Sequence, residues 1–550
     1  MGRMTTSSSI LSVQNLSVSF HTEDRSVEAV KNVSFDLHPG EVLGLVGESG
    51  SGKTVTGMSI LRLVPSPPGQ IDGGSIWFKG KDLLTLSVDD MRKVRGSQIS
   101  AIFQEPMTAL SPLKTVGDQL LELLELHRSE MSAEEKRSVV LEWLHNVGIP
   151  NPEIRMDQYP FQYSGGMRQR VTIAMALMLE PDIVIADEPT TALDVTLQAQ
   201  VFDLMMKMKS EKTSIIFITH DMGVVWELCD RVLVMKDGHL VEEGETVSLF
   251  DAPKEEYTQE LLHAVPRLDD EPVREPPTAA EPMIRAKGLK TWFPIKRGIF
   301  ARTVDHVRAV DGIDFTIQPG ETLGVVGESG SGKSTLGRTL IGLEDSTEGQ
   351  FWYDNTALHT LRGSAWRPVR RDLAMIFQDP YSSLNPRMRV LDLLTEAPIV
   401  HGLLGKADPD FAAKWLDEVG LEADMMHRYP HEFSGGQRQR ICIARSLALN
   451  PKLIICDEAV SALDVTIQAQ VLDLLLELRE RHNLAYLFIS HDLSVVKRIC
   501  DHVLVMSQGK VVEEGTPEQV ISNPQQEYTR KLLEAVPNPG DPLKRRVHVS

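Results

Sequence analysis

A twelve-residue stretch, LGLVGESGSGKT at residues 43–54, returns as LGVVGESGSGKS at 323–334, and this repeat constrains the fold more than any other feature of the chain. Further segments return in the same order. FQEP at Phe103 becomes FQDP at Phe377, and YPFQYSGGMRQR at Tyr159 becomes YPHEFSGGQRQR at Tyr429. ADEPTTALDVTLQAQ at Ala186 becomes CDEAVSALDVTIQAQ at Cys456, and ITHD at Ile218 becomes ISHD at Ile489. The offset is 280 between Lys53 and Lys333, 274 between Gln104 and Gln378, and 270 or 271 thereafter. So slow a drift means two duplicated domains with a few loop insertions, not a solenoid of short units. At 550 residues the chain also exceeds what a single hydrophobic core fills.

Between the copies, residues 267–282 (RLDDEPVREPPTAAEP) hold four prolines, five acids and no apolar periodicity. That is the composition of an extended, solvated linker. The expected division is a first domain over 1–266, the linker, and a second domain over 283–550. Within each copy, β-rich runs such as EVLGLVG and DIVIAD lead into loop-then-helix segments. The alternation predicts an α/β fold with a mainly parallel sheet flanked by helices. From about 105 to 162 the pattern turns helical (VGDQLLELLELH, AEEKRSVVLEWLHNVG), with a counterpart at about 379–432. Each of these reads as an inserted helical subdomain.

The formal net charge of −20 argues against a nucleic-acid-binding surface, which needs clustered Lys and Arg, and no nucleic-acid partner is expected. No apolar run approaches the length that spans a bilayer, and the polar start MGRMTTSSSI lacks the apolar core of a secretory signal. Cys229, Cys442, Cys456 and Cys500 are isolated, without metal-ligand spacing. They read as small buried hydrophobes in a reduced, cytosolic compartment.

GESGSGKT (47–54) and GESGSGKS (327–334) each follow a strand-like run and precede a helix-like one, which is the context a phosphate loop requires. Gly47, Gly50 and Gly52, with Ser49 and Ser51, let the backbone curl so that its amides point at phosphate oxygens; Gly327, Gly330, Gly332, Ser329 and Ser331 repeat the arrangement. Lys53 and Lys333 are placed to reach the β- and γ-phosphates of ATP, and Thr54 and Ser334 to hold Mg²⁺. One such match arises by chance; two in equivalent contexts do not. In DIVIADE and KLIICDE an apolar run ends in an acidic pair, and ligands sit at that end of open α/β sheets. An acidic pair after a strand is ordinarily a solvated turn. In one domain with a phosphate loop, Asp187 and Asp457 are instead expected to support Mg²⁺, and Glu188 and Glu458 to polarise the attacking water as general bases.

The remaining motifs carry a resemblance. SGGM (Ser164, Gly165, Gly166, Met167) and SGGQ (Ser434, Gly435, Gly436, Gln437) each lie 23 residues before the aspartate and resemble the signature of ATP-binding-cassette (ABC) proteins. A serine and two glycines opening a helix also make a second phosphate-binding surface on physical grounds. The resemblance covers nearly the whole chain. It implies two tandem P-loop NTPase domains, each a RecA-like parallel-sheet core with an inserted helical subdomain. It makes Gln104 and Gln378 the glutamine-loop residues touching Mg²⁺ and water, and Asp194 and Asp464 the D-loop aspartates. His220 and His491 become the switch histidines that read the γ-phosphate. A lone histidine at a strand end is usually structural; here both stand 33 or 34 residues after the aspartate in the same frame. Phe20 and Phe293 occupy the place of the adenine-stacking aromatic, where the family usually has Tyr, and Trp292 is a rival to Phe293. In this family each ATP is held between the phosphate loop of one cassette and the signature of the other. Lys53 and Glu188 would then face Ser434, and Lys333 and Glu458 would face Ser164. Met167 and Ala459 depart from the usual Gln and Pro without removing a charged group.

Three features resemble the oligopeptide/dipeptide (peptide/nickel) importer branch: DPYSSLNP at 379–386 with its degraded copy EPMTALSP at 105–112, the unlike SGGMRQR and SGGQRQR helices, and the matching tails APKEEYTQELLHAVP and NPQQEYTRKLLEAVP. The tails hold no cysteine, so the iron–sulfur cluster of some members is not expected. The resemblance implies an ATPase that drives uptake of peptides or peptide-like solutes from the cytoplasmic face of a bacterial inner membrane. It would dock to two integral-membrane permease subunits through the helical subdomains and act indirectly with a substrate-binding protein. The alternative is a soluble twin-cassette translation factor acting on ribosomes, which has a long, charged helical linker in place of this short proline-rich one.

Overall fold

The phosphate-loop strand is the centre of each copy. In the computed structural model, which describes residues 9–21, 26–104, 109–190, 194–268, 281–297, 302–461 and 463–540, the strand Val42–Val46 is buried at every position. It lies between Ser214–Thr219 and Arg231–Lys236, both parallel to it. Ile183–Asp187 and Ile99–Ile102 extend the sheet beyond Ser214–Thr219, and His239–Glu245 closes the far edge antiparallel. The second copy repeats this around Thr322–Val326, with Leu373–Ile376, Leu453–Asp457 and Ala485–Ile489 on one side and His502–Ser507 and Lys510–Gly515 on the other. VLGLV, IVIAD and SIIFIT are buried throughout because both faces of the sheet are covered: Val42, Val184 and Phe217 cluster with helix residues such as Ile173, Phe202 and Val225, and Leu43, Ile183 and Ile216 with Leu11, Val13 and Leu16 of a second sheet.

Each copy also carries a four-stranded antiparallel sheet that the reading of a mainly parallel sheet leaves out. In the first copy Leu11–His21 lies between Ser26–Leu37 and Gly69–Phe78, with Lys81–Asp82 at the edge. The second copy uses Ile284–Arg297, Arg302–Ile317, Glu348–Tyr353 and Thr356–Ala357. Burial alternates along the end of Ser26–Leu37, where Val33, Phe35 and Leu37 face inward while Ser34 and Asp36 face out. That is the signature of a sheet with one wet face.

The helical insert of the first copy includes Val116–His127 and Ala133–Asn146. Thr115 caps the first helix, and a reciprocal Ser132/Glu135 capping box opens the second. Leu120, Leu124, Val140 and Leu144 pack on Val171 and Ala174 of the helix Gly165–Leu177, which leads back into the sheet. In the second copy Val390–Val400 and Pro409–Glu418 do the same, with Leu394, Trp415 and Leu416 in one cluster with Ile441. All four cysteines are buried, and burial pushes the Cys442 thiol up to about 12.

By compactness the described residues form two units. The first takes in those of 9–193, 197–265 and 537–540; the second takes in those of 194–196 and 266–536. Most of the expected linker, 269–280, lies outside the described residues, as do 105–108 of EPMTALSP. Among the described residues no helix is long and apolar enough to cross a membrane.

Candidate active site

In each copy the strand, loop and helix follow one another directly: Val42–Val46 then the helix Lys53–Ile60, and Thr322–Val326 then Lys333–Leu340. The loop turns on glycines whose backbone other residues resist. Gly47 and Gly327 sit at φ 147° and 150°, Gly52 and Gly332 at 99° and 105°. A Cβ on Gly47 would overlap the Met235 carbonyl oxygen, and one on Gly327 the Met506 carbonyl. Lys53 is only 6% exposed, and its Nζ donates to the carbonyls of Gly47 and Glu48, both at 2.7 Å. Lys333 repeats this with Gly327 at 2.7 Å and Glu328 at 2.9 Å. A buried ammonium needs such acceptors. Burial lowers the Lys333 pKa, against the charges of Glu458 and Asp194. Ser51 and Ser331 are buried, and Ser331 Oγ has no hydrogen-bond partner in the protein. An unpaired polar atom inside a loop of this shape suits a polar ligand.

Asp187 and Asp457 end their strands beside the loops. Thr54 Oγ1 donates to Asp187 Oδ1 at 3.1 Å, and Ser334 Oγ to Asp457 Oδ1 at 2.6 Å. Burial, with the charge of Glu188, pushes Asp187 up to about 6 against the Thr54 hydrogen bond and Lys53. Burial likewise raises Asp457. Asp457 Oδ2 is buried without a hydrogen bond, and Arg338 Nη2 lies 3.8 Å from it. The first copy has Met58 at the position of Arg338, so the two sites differ here in charge.

Glu188 and Glu458 follow immediately, in left-handed backbone at φ 44° and 49°. Their amides are held by the Ile218 and Ile489 carbonyls at 2.9 and 3.0 Å. Gln104 Nε2 donates to Glu188 Oε2 at 2.6 Å, and His220 Nδ1 lies 2.9 Å from Oε1. In the second copy Gln378 Nε2 donates to Glu458 Oε2 at 2.7 Å, with His491 Nδ1 at 3.4 Å. Burial alone would raise both glutamates, but the histidine's hydrogen bond and charge, with the glutamine and lysine, hold both below the usual range. Burial likewise works against protonated His491, yet Glu458 outweighs it and raises its pKa. A carboxylate kept ionised while half-buried can take a proton from water.

The structure thus gathers Lys, Thr or Ser, Asp, Glu, Gln and His into one cluster per copy. The signature serines stand apart from it. Ser164 and Ser434 are exposed N-caps, accepting the amides of Met167 and Gln437, each at 3.3 Å. Neither is hydrogen-bonded to the lysine, aspartate or glutamate of its own copy. Gln437 also accepts the Ser434 amide at 3.1 Å, completing a capping box that Met167 cannot make. Gly165 and Gly435 face open space. Asp194 belongs to the second unit, where it accepts the Ser329 amide at 3.1 Å, while Asp464 precedes the helix Val465–His482. Phe20 is half-buried against the antiparallel-sheet core, and Phe293 is 37% exposed. Trp292 is engaged by Asp311 at 3.2 Å and by the cations of Lys290 and Arg308 over its ring, which leaves Phe293 the more open aromatic.

Three contributors escape sequence reasoning. Arg338 has no motif. Gln169, fully buried, donates to the carbonyl of Pro189 next to Glu188, tying the helix Gly165–Leu177 to the end of the strand Ile183–Asp187. Tyr257 and Tyr528 reach the phosphate loops from the tails, and their recurrence in the repeated EYT was the available signal.

The family model described as ABC transporter matches residues 30–191 and again 310–461, and that described as oligopeptide/dipeptide transporter, C-terminal region, matches 241–287 and 512–549. The chain is 50% identical over 535 residues to the peptidoglycan transport ATP-binding protein YejF of Agrobacterium fabrum, covering 96% of each. It is 47% identical over 567 residues to the glutathione import ATP-binding protein GsiA of Salmonella typhimurium, covering 98% of this chain and 91% of that one. With the Escherichia coli protein of the same name it shares 47% over 558 residues, 96% and 89% of the two chains. With two matched cassettes, each holding the cluster described above, the chain belongs to the ABC transporter family as a twin-cassette, ATP-binding ATPase.

Proposed function

We propose that the chain is the ATPase of a bacterial importer, coupling ATP hydrolysis at two sites to uptake of peptides or peptide-like solutes. The observation that carries this reading is that both copies join a complete hydrolytic set to the tail region matched in oligopeptide/dipeptide transporters. Relatives named for glutathione import and peptidoglycan transport support the same solute class, and none of these matches favours the ribosome reading.

Mg²⁺ would be held by Thr54 with Asp187 and by Ser334 with Asp457. Adjacent hydroxyl and carboxylate oxygens suit this hard ion, and Asp457 Oδ2, which accepts no hydrogen bond, fits a cation. No cluster of three His, Cys, Asp or Glu suited to a metal occurs among the described residues. Mg²⁺ does not need one, because water and substrate phosphates supply its other ligands and it neutralises their charge. The tails hold no cysteine, so no iron–sulfur cluster is part of this proposal. The lysine holds the phosphates, the glutamate accepts the proton of the attacking water, the glutamine and histidine orient that glutamate, and Phe20 and Phe293 stack on adenine. In keeping with the family resemblance, Ser434 and its glycines complete the site of Lys53, and Ser164 completes that of Lys333.

In this reading the protein is peripheral to the cytoplasmic face of the inner membrane, docked to two permease subunits through its helical inserts, with a substrate-binding protein acting indirectly. Affinity purification from detergent-solubilised membranes tests it. Two permease subunits are expected to copurify, and solute-loaded binding protein to stimulate the ATPase of the reconstituted complex. Salt-resistant pelleting with ribosomes, without permease, would sink the proposal.

A further inference from the structure

Each copy ends in a tail that the hydrolytic roles leave unused. Its start is anchored by a strand carboxylate: Glu242 accepts the amides of Lys254 and Glu255 at 2.9 and 3.2 Å, and Glu513 those of Gln525 and Gln526 at 2.7 and 3.2 Å. The helix that follows, Glu256–Ala264 or Glu527–Ala535, buries Leu261 and Leu262 in the first copy and Leu532 in the second. This seating carries Tyr257 and Tyr528 to the phosphate loops. Their hydroxyl oxygens accept the amides of Glu48 and Glu328, at 3.1 Å in both copies. The carbonyls of these two residues are the ones that accept Lys53 and Lys333. One residue of each loop is therefore held twice, by the tail at its N–H and by the loop's own lysine at its C=O. The Tyr257 ring is itself held, since Lys236 Nζ lies 4.4 Å from its centroid.

We infer that Tyr257 and Tyr528 are positioning residues for ATP, through which the tail helices keep the phosphate loops in their nucleotide-receiving shape. In the structure the ammonium donates to the carbonyls of Gly47 and Glu48, or of Gly327 and Glu328, and to reach a phosphate it must leave them. The tyrosine hydroxyl still accepts the Glu48 or Glu328 amide, alongside the Ser51 and Ser331 amides on the same residues' carbonyls at 3.1 and 3.2 Å, so the loop does not have to reorder when ATP arrives. A site ordered beforehand binds more tightly than one that must be ordered by its ligand. The inference rests on these loops being the ATP-phosphate cradles.

The test uses the full chain with Tyr257→Phe, Tyr528→Phe and the double variant, which keep the rings and delete only the accepting oxygens. In the double variant the half-saturating MgATP concentration is expected to rise roughly fivefold, with MgADP binding weakened in parallel and kcat within about twofold, as for loss of one hydrogen bond per site. A purely structural role would lower the melting temperature and kcat while leaving half-saturation unchanged, and that outcome overturns the inference. So does wild-type behaviour in all three variants. Lys53→Ala with Lys333→Ala separates the two levels. If MgADP binding survives there, the cradle reading itself fails; if it is lost there while the tyrosine variants bind normally, only the role of the tyrosines falls.

Discussion

Replacing Glu188 and Glu458 together by glutamine will lower ATP turnover by about 10³-fold, while MgATP binding stays within a few-fold of the parent protein. The expected effect is large because the surroundings of each carboxylate suit the proposed role of base. It lies between an amide donor and an imidazole, and their hydrogen bonds and charge keep it ionised despite burial. A glutamine keeps the volume and can still accept from Gln104 or Gln378, but it cannot take a proton. Phosphate-release kinetics beside equilibrium nucleotide binding separate the two effects. Undiminished turnover in the double variant would refute the base assignment. The single variants then report how turnover divides between sites that differ at Arg338 and Met58.

Lys53→Ala with Lys333→Ala will lower kcat/KM for ATP by about 10²- to 10³-fold, because in the proposed role each lysine supplies the cation that binds the phosphates. Lys→Arg will not restore it. The ammonium sits in a buried niche within 2.7 to 2.9 Å of two backbone carbonyls, a space for a compact head group and not for a planar fork. Steady-state kinetics on alanine and arginine variants check both statements, and near-parental kcat/KM in the arginine pair would contradict the second.

Much of the fold was legible because the duplicated motifs mark the ends of the central strands. The glycines of 47–52 and Glu188 of the acidic pair take positive φ just past the ends of central strands, and His220 directly follows the strand Ser214–Thr219. The antiparallel sheets were less visible. Register shifts interrupt the pairing of Leu11–His21, so its apolar alternation breaks, although VSFDL in the partner strand keeps it. Contacts between residues far apart in the chain were invisible for another reason. Tyr257 meets Glu48 across 209 residues and Gln169 meets Pro189 across 20, with no motif spacing to announce either. The departure of Met167 was noticed, but its local consequence, the lost capping box that Gln437 makes with Ser434, needs coordinates. Phe20 and Phe293 occupy matching positions in sequence yet differ in openness, since burial depends on what the neighbouring strands bring.

The left-handed backbone at Glu188 and Glu458 bears on any attempt to make this protein more robust. A side chain with a Cβ costs about 1 kcal/mol in that conformation, and glycine escapes the cost. Stability and activity therefore pull in opposite directions at these two positions. A library screened by melting temperature alone will enrich glycine or asparagine there and return heat-resistant proteins that no longer hydrolyse ATP. Thermal selection of this ATPase needs a turnover filter run alongside it.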